Sequence, residues 1–303
     1  MTGIRLNKFI SDTGICSRRE ADRLIEEGQV RINGAVAQMG TRVGDGDQVT
    51  VRGKLLKAKP PAVYLVYNKP VGITCTTDRE VHGNIVDAVR YPGGRIFPIG
   101  RLDKPSEGLI LLTNDGDIVN KILRAGNAHE KEYVVTVDKP FDDEFVRRMS
   151  QPIPILGTMT RPCTVRRVSA DTFNIILTQG LNRQIRRMTE YLGYEVTRLR
   201  RVRIMNIRLG GLRPGQWREL TAAEMALINS MVADSSKTEE ASLIARPPRS
   251  AKPAPRSDSR QRTARTESSA GGNSRNSNPA SRGGKTGNRS GQSANKPGGS
   301  RRR

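Results

Sequence analysis

Gly100-Arg-Leu-Asp-Lys-Pro-Ser-Glu-Gly-Leu-Ile-Leu-Leu-Thr-Asn-Asp-Gly-Asp117 is the stretch whose reading decides the fold. The apolar run Leu109–Leu112 is too short for a helix of its own and is bounded by turn residues. It reads as a strand inside a sheet. Arg101 and Asp103 then fall on a loop at its leading edge. Loops held by a rigid sheet are where chemistry concentrates. A lone Arg-x-Asp is also what a surface turn or ion pair looks like, so its meaning depends on the rest of the chain.

Outward from this run the pattern stays mixed. Strands are expected at 62–67, 95–99, 107–112, 131–137, 163–168, 173–179 and 195–207. Helices are expected at about 84–90, 116–124, 141–149, 182–192 and 221–231. No internal repeat of fixed period is visible. The N-terminal fifty residues have another texture. Leu6, Phe9 and Ile10 have helical spacing. Ser17-Arg-Arg-Glu20 fits a capping box that opens a helix carrying Ala21, Leu24 and Ile25, ending at Gly28. Asn33-Gly34 between Val30–Ile32 and Ala35–Ala37 is a hairpin turn signal. Gln48–Arg52 reads as one more short strand.

The segments divide as residues 1–54, a linker over 55–61 stiffened by Pro60-Pro61, a body over 62–234, and a tail over 235–303. The tail is nearly devoid of apolar residues and is expected to be disordered. The chain has 303 residues and a formal charge of +22. With 16 Lys/Arg against 4 Asp/Glu, the tail carries +12 and leaves +10 on residues 1–234. A field of this sign attracts polyanions, nucleic acid first, and the tail reads as an electrostatic tether. No apolar run approaches the ~20 residues that span a bilayer, so no membrane partner is expected. The start Met1–Lys8 shows no apolar signal segment. Cys16, Cys75 and Cys163 are scattered, and His82 and His129 are the only histidines. A zinc site or disulfide framework is not expected, and reducing cytoplasm is the expected compartment. Ser106 and Cys75 have no partnered base in sequence, so triad chemistry is unsupported.

The order of two helices and a tight hairpin resembles the S4-type RNA-binding domain, on Arg5–Phe9, Ser17–Ala21, Gly28–Gly34 and Gly44–Asp47. That resemblance implies a basic face for structured RNA, with Lys8, Arg18, Arg19, Arg23 and Arg31 as candidates. Taken alone, those residues also read as a solvated helix face.

Four ordered blocks follow: Tyr67-Asn-Lys-Pro-Val-Gly72, Gly100-Arg-Leu-Asp103, Lys131-Glu-Tyr133 and Gly180-Leu-Asn-Arg-Gln-Ile-Arg-Arg-Met188. Each is weak alone. Together, behind an S4-like module, they resemble the pseudouridine synthases of the ribosomal small-subunit synthase A family. Ile122–Gly126 ahead of His129–Lys131, the Asn182-Arg-Gln184 variant and the basic tail are most similar to a member acting on 23S rRNA near the peptidyl-transferase centre.

The resemblance implies an α+β fold: an S4-like domain, then a catalytic domain around a mixed, largely antiparallel sheet. It implies a cofactor- and metal-free isomerisation of uridine in rRNA by a monomer, with no obligate protein partner. Asp103 is implied as the catalytic carboxylate, either nucleophile or base on the sugar. Arg186 is its implied partner, and Tyr133 is the residue against the uracil. Ile185 is expected as an apolar wall. Arg101 is expected to fill the gap left by a flipped base, and Arg187 to contact RNA. Lys69 supports the adjacent loop, with contact to substrate as its alternative. A non-catalytic RNA-binding assembly factor, or a sister synthase for another rRNA uridine, would share the composition.

Overall fold

The computed structural model describes residues 3–123 and 129–233. The expected tail, 235–303, lies outside the described residues.

The N-terminal module forms where its local signals are. Helix Arg18–Glu26 begins on Ser17, whose Oγ accepts from the Glu20 amide at 3.1 Å. This removes one of the helix's unpaired N-terminal donors. It packs with helix Leu6–Asp12 over Leu6, Ile10, Ala21, Leu24 and Ile25. Asn33 and Gly34 both take positive φ, as a type I′ turn requires. The sheet order is 35–36, 30–32, 49–51, 54–55. Two features differ from the sequence expectation. Lys54–Leu55 pairs with Thr50–Val51 as an edge strand, and Leu56 packs on the module's core, so the connection starts later than expected. A short pair, Ile4–Arg5 with Arg42–Val43, closes the other side.

The body is a nine-stranded sheet with strand order 164–167, 172–177, 131–137, 196–204, 107–113, 64–69, 217–219. Strand 97–99 pairs with 107–113, and 207–208 with 196–204. Every pairing is antiparallel except 196–204 with 107–113, which is parallel. The expected strand over 195–207 is broken at Met205-Asn206, where Met205 adopts a positive φ and the chain turns back as a hairpin. Strand Trp217–Glu219 was not expected; its pairing with Leu65–Tyr67 is long-range and has no local signal.

The central strands are apolar on both sides because helices cover both faces. Ile110, Leu112, Leu65 and Tyr67 face a core shared with helices Ile85–Val89, Asp143–Ser150 and Gln184–Tyr191. Leu109, Leu111 and Val66 face the opposite core, under helices Gly116–Leu123 and Ala222–Val232. The result is an α+β three-layer arrangement with a mixed, mostly antiparallel sheet, as expected.

Helix Ala222–Val232 is fastened by a capping box between Thr221 and Glu224. Glu224 also takes both Nη atoms of Arg218 at 2.8 Å. The Arg218 guanidinium holds its carboxyl down at about 2. A depressed carboxyl stabilises the fold fully above its unfolded value, and that contribution fades as pH falls toward the folded value. The stability difference between the wild type and Glu224→Gln should therefore be largest above pH 4.5 and close as pH approaches 2. Denaturant unfolding at a series of pH values measures this. A gap that stays constant would assign the effect to packing.

Candidate active site

Asp103 sits on the loop that enters strand Glu107–Thr113, and the loop is held from three directions. The Ser106 amide donates to the Asp103 carbonyl at 3.0 Å, and the Gly72 amide to the Lys104 carbonyl at 2.8 Å. The Leu102 amide meets Cys75 Sγ at 3.4 Å, and the Leu102 side chain is buried. The carboxylate projects half-exposed toward the start of helix Gln184–Tyr191. Two guanidinium groups face it: Arg183 Nη1 at 3.7 Å and Arg186 Nε at 4.0 Å.

The two arginines differ in setting. Arg186 is mostly buried; its Nη1 donates to the Val196 carbonyl at 2.9 Å and its Nη2 reaches Ser106 Oγ at 3.4 Å. Its Nε has no hydrogen-bond partner, which leaves that donor for an anion at the Asp103 position. Burial pulls the Arg186 guanidinium below its usual value, Arg183 adds to this, and Asp103 opposes it. Guanidinium stays charged under such a load where an ammonium would not. Arg183 is more exposed and caps the helix with a positive φ. It was not singled out from sequence; its place three residues before Arg186 was the available signal. Arg187 turns back to the Asn182 carbonyl at 3.1 Å and does not face Asp103.

Buried glutamines shape the loop before the helix. Gln184 Oε1 accepts from the Leu181 amide at 3.0 Å, and Gln184 Nε2 donates to Gln179 Oε1 at 3.3 Å. Ile185 is buried beside them. Tyr133 comes from the middle of the sheet. The register of strand Lys131–Val137 against 196–204 shifts between Glu132 and Tyr133. Such irregularities re-aim a side chain. Asp103, Arg101, Tyr133, Ile185 and Arg186 all line one small cavity of about 90 Å³. A wider cavity of about 510 Å³ adjoins it and shares Arg101, Asp103, Tyr133 and Arg183.

Other expected residues lie elsewhere. Lys69 is fully buried, donates to the Pro70 carbonyl at 2.8 Å and lines neither cavity. Burial lowers its ammonium below the ordinary lysine value. In the N-terminal module Arg18 and Arg19 are exposed. Lys8 is engaged by Asp12 at 2.6 Å and Asp117 at 3.2 Å, Arg23 by Glu20 and Glu27, and Arg31 by the Gly34 carbonyl. Burial raises the Cys75 thiol, which disfavours the thiolate. Among the described residues, no group of three or more His, Cys, Asp or Glu is gathered to hold a metal ion, and no helix is long and apolar enough to cross a membrane.

Comparison with known proteins fits this geometry. Residues 63–191 match the RNA pseudouridylate synthase family and residues 4–49 the S4 domain. The chain is 55% identical over 248 residues to the dual-specificity RNA pseudouridine synthase RluF of Salmonella typhi, spanning 81% of this chain and 86% of that protein. It is 36% identical over 235 residues to ribosomal large subunit pseudouridine synthase B of Bacillus subtilis, covering 75% and 96%. A crystal structure of a pseudouridylate synthase superposes with a TM-score of 0.56 at 29% identity, covering 74% of this chain and 99% of that one. With an S4 domain ahead of a matching catalytic domain and relatives similar along most of both chains, this protein belongs to the RNA pseudouridine synthases.

Proposed function

We propose that the chain converts a uridine of 23S rRNA to pseudouridine, with Asp103 as its single catalytic carboxylate. The observation that carries this is the meeting of Asp103, Arg186, Tyr133 and Ile185 around one cavity, from a loop, a helix start and a mid-sheet strand. The reaction breaks the N1–C1′ bond, turns the uracil and forms C5–C1′, with loss of the C5 proton and gain of one at N1. It is an isomerisation, so atoms and electrons balance without a donor or oxidant.

Asp103 attacks or deprotonates the sugar, and either role requires the carboxylate. The guanidinium groups of Arg183 and Arg186 face it at 3.7 and 4.0 Å. Tyr133 offers an aromatic face to the extruded base, worth about 1–3 kcal/mol by analogy with single-strand stacking. Ile185 walls the cavity. Arg101, exposed beside Asp103, occupies the space vacated when the nucleotide flips out. Arg18 and Arg19 of the N-terminal module contact RNA, and Arg187 joins them. The enzyme acts as a cytoplasmic monomer with ribosomal RNA as its partner.

Deleting the gene and mapping pseudouridines across rRNA tests this. One 23S site, or a closely spaced pair, should disappear and return with the wild-type gene. An unchanged map overturns the substrate. A site lost and then restored by an Asp103→Asn copy identifies an assembly factor instead.

A further inference from the structure

The wider cavity is lined by a buried cation, Arg201, that has no carboxylate partner among the described residues and only the Tyr133 ring, 5.9 Å from its guanidinium carbon. Arg201 is 4% exposed. Its Nε donates to the Leu109 carbonyl at 2.7 Å, and its Nη1 lies 3.5 Å from the Tyr133 hydroxyl. Its Nη2 is buried without a hydrogen-bond partner. The carboxylates on neighbouring strands are committed elsewhere. Glu107 pairs with Arg198 at 2.6 Å, and Glu132 and Glu130 pair with Arg203 at 2.7 and 2.8 Å. Lys131 lines the same cavity; its ammonium is pushed down to about 8, by burial first and by Arg201 second. A buried charge left unpaired is costly, so a site that keeps one needs an anion to balance it.

The cavity states which kind of anion. Arg101, Lys104, Lys131, Arg183 and Arg201 line it against one carboxylate, Asp103. Its volume of about 510 Å³ exceeds what a single ion fills. Tyr133 and Asp103 also line the smaller cavity, so an occupant of the wider one adjoins the base assigned to the smaller. We propose that Arg201 and Lys131 form a phosphate subsite that takes the phosphodiester adjoining the target uridine. Guanidinium presents paired donors to phosphate oxygens, and ammonium adds a point charge. The subsite rests on the RNA-substrate reading above. It adds where the backbone enters and makes base extrusion depend on a buried contact as well as on surface charge.

The test uses the rRNA fragment around the mapped uridine, made with a single neutral methylphosphonate at each linkage flanking it. Wild-type protein on unmodified RNA is the control; absence of pseudouridine there would overturn the substrate reading, and the subsite with it, whereas the outcomes below overturn the subsite alone. For one linkage, wild-type affinity should fall about tenfold, the loss of a hydrogen bond to a charged group. Lys131→Gln and Arg201→Gln should each weaken unmodified RNA by a similar factor and be insensitive to that same methylphosphonate. Such non-additivity is the signature of a direct contact. Lys131→Gln should also reduce the log–log salt slope of binding by about one. If Arg201→Gln fails to fold, Lys131→Gln carries the test alone. Additive losses at every linkage, or unchanged affinity of Lys131→Gln for unmodified RNA, overturn the subsite.

Discussion

Asp103→Asn should fold, bind RNA and make no pseudouridine. Rates should fall by at least about 10⁴-fold, the scale seen when an essential member of a catalytic unit is removed. Folding should survive because the loop is held by backbone contacts that asparagine keeps: the Ser106 amide on the residue 103 carbonyl and the Gly72 amide on Lys104. The carboxylate itself only faces Arg183 and Arg186 at 3.7 and 4.0 Å and is partly exposed, so its loss costs little stability. Asparagine matches the shape and removes both the nucleophile and the base. Single-turnover assays with saturating RNA, alongside thermal melts, read the two effects apart. Residual turnover within about tenfold of wild type would remove Asp103 from the chemistry. A melt shifted far down would make the loss one of folding.

Gly108→Ala should damage the fold more than any substitution at the site. Gly108 has φ +103°, and a Cβ there would stand 2.2 Å from the Arg201 carbonyl oxygen and 2.8 Å from the Arg201 nitrogen. Both are backbone atoms in a paired strand and cannot swing aside. The position combines a conformation alanine avoids with a contact no rotamer relieves, so about 3 kcal/mol or more should be lost. That corresponds to roughly 10 °C in Tm for a domain of this size. The effect should also reach the site. In register, Lys69, Gly108, Arg201, Tyr133 and Ile175 form one row across five strands. Forcing strands 107–113 and 196–204 apart displaces Arg201 and the Asp103 loop together. Turnover per folded molecule should therefore drop along with Tm, measured on protein held well below its melt. A Tm within about 2 °C of wild type would show that the strand pair yields, less than the shift expected for a single kcal/mol.

How far the sequence could be read depended on the range of the interaction. Ser17 and the Glu20 amide are three residues apart, and Asn33-Gly34 is a dipeptide; the cap and the turn formed where expected because the partners are chain neighbours, while the Glu20 side chain pairs with Arg23 rather than closing the capping box. Asp103 was legible as a loop residue because the turn ahead of Leu109–Leu112 is also local. Tyr133, Ile185 and Arg186 were found only through a resemblance of ordered blocks. Nothing near Tyr133 in the chain says that it faces a loop thirty residues upstream. Arg183 and Arg201 went unnoticed. One sits in a run of arginines that reads as surface charge, and the other in a strand where Arg198, Arg200, Arg201 and Arg203 look alike.

Those four arginines mark the boundary between what sequence and tertiary structure each decided. The sequence alone pointed to a strand over 195–207 and to a buried one at Leu109–Leu112, and its resemblance to the S4-type domain to an RNA-binding module ahead of them. The two strands follow from apolar patterning and turns over a few residues. Only the tertiary structure decided which arginine goes inside. Glu107 crosses over to Arg198, and Glu132 with Glu130 reaches Arg203, so those two are neutralised by partners on neighbouring strands. Arg201 alone meets Gly108, where a missing side chain lets two parallel strands close up and turns its guanidinium inward beside Tyr133. Burial and charge pairing are set by neighbours 68 to 92 residues away in the chain, and no local pattern encodes them.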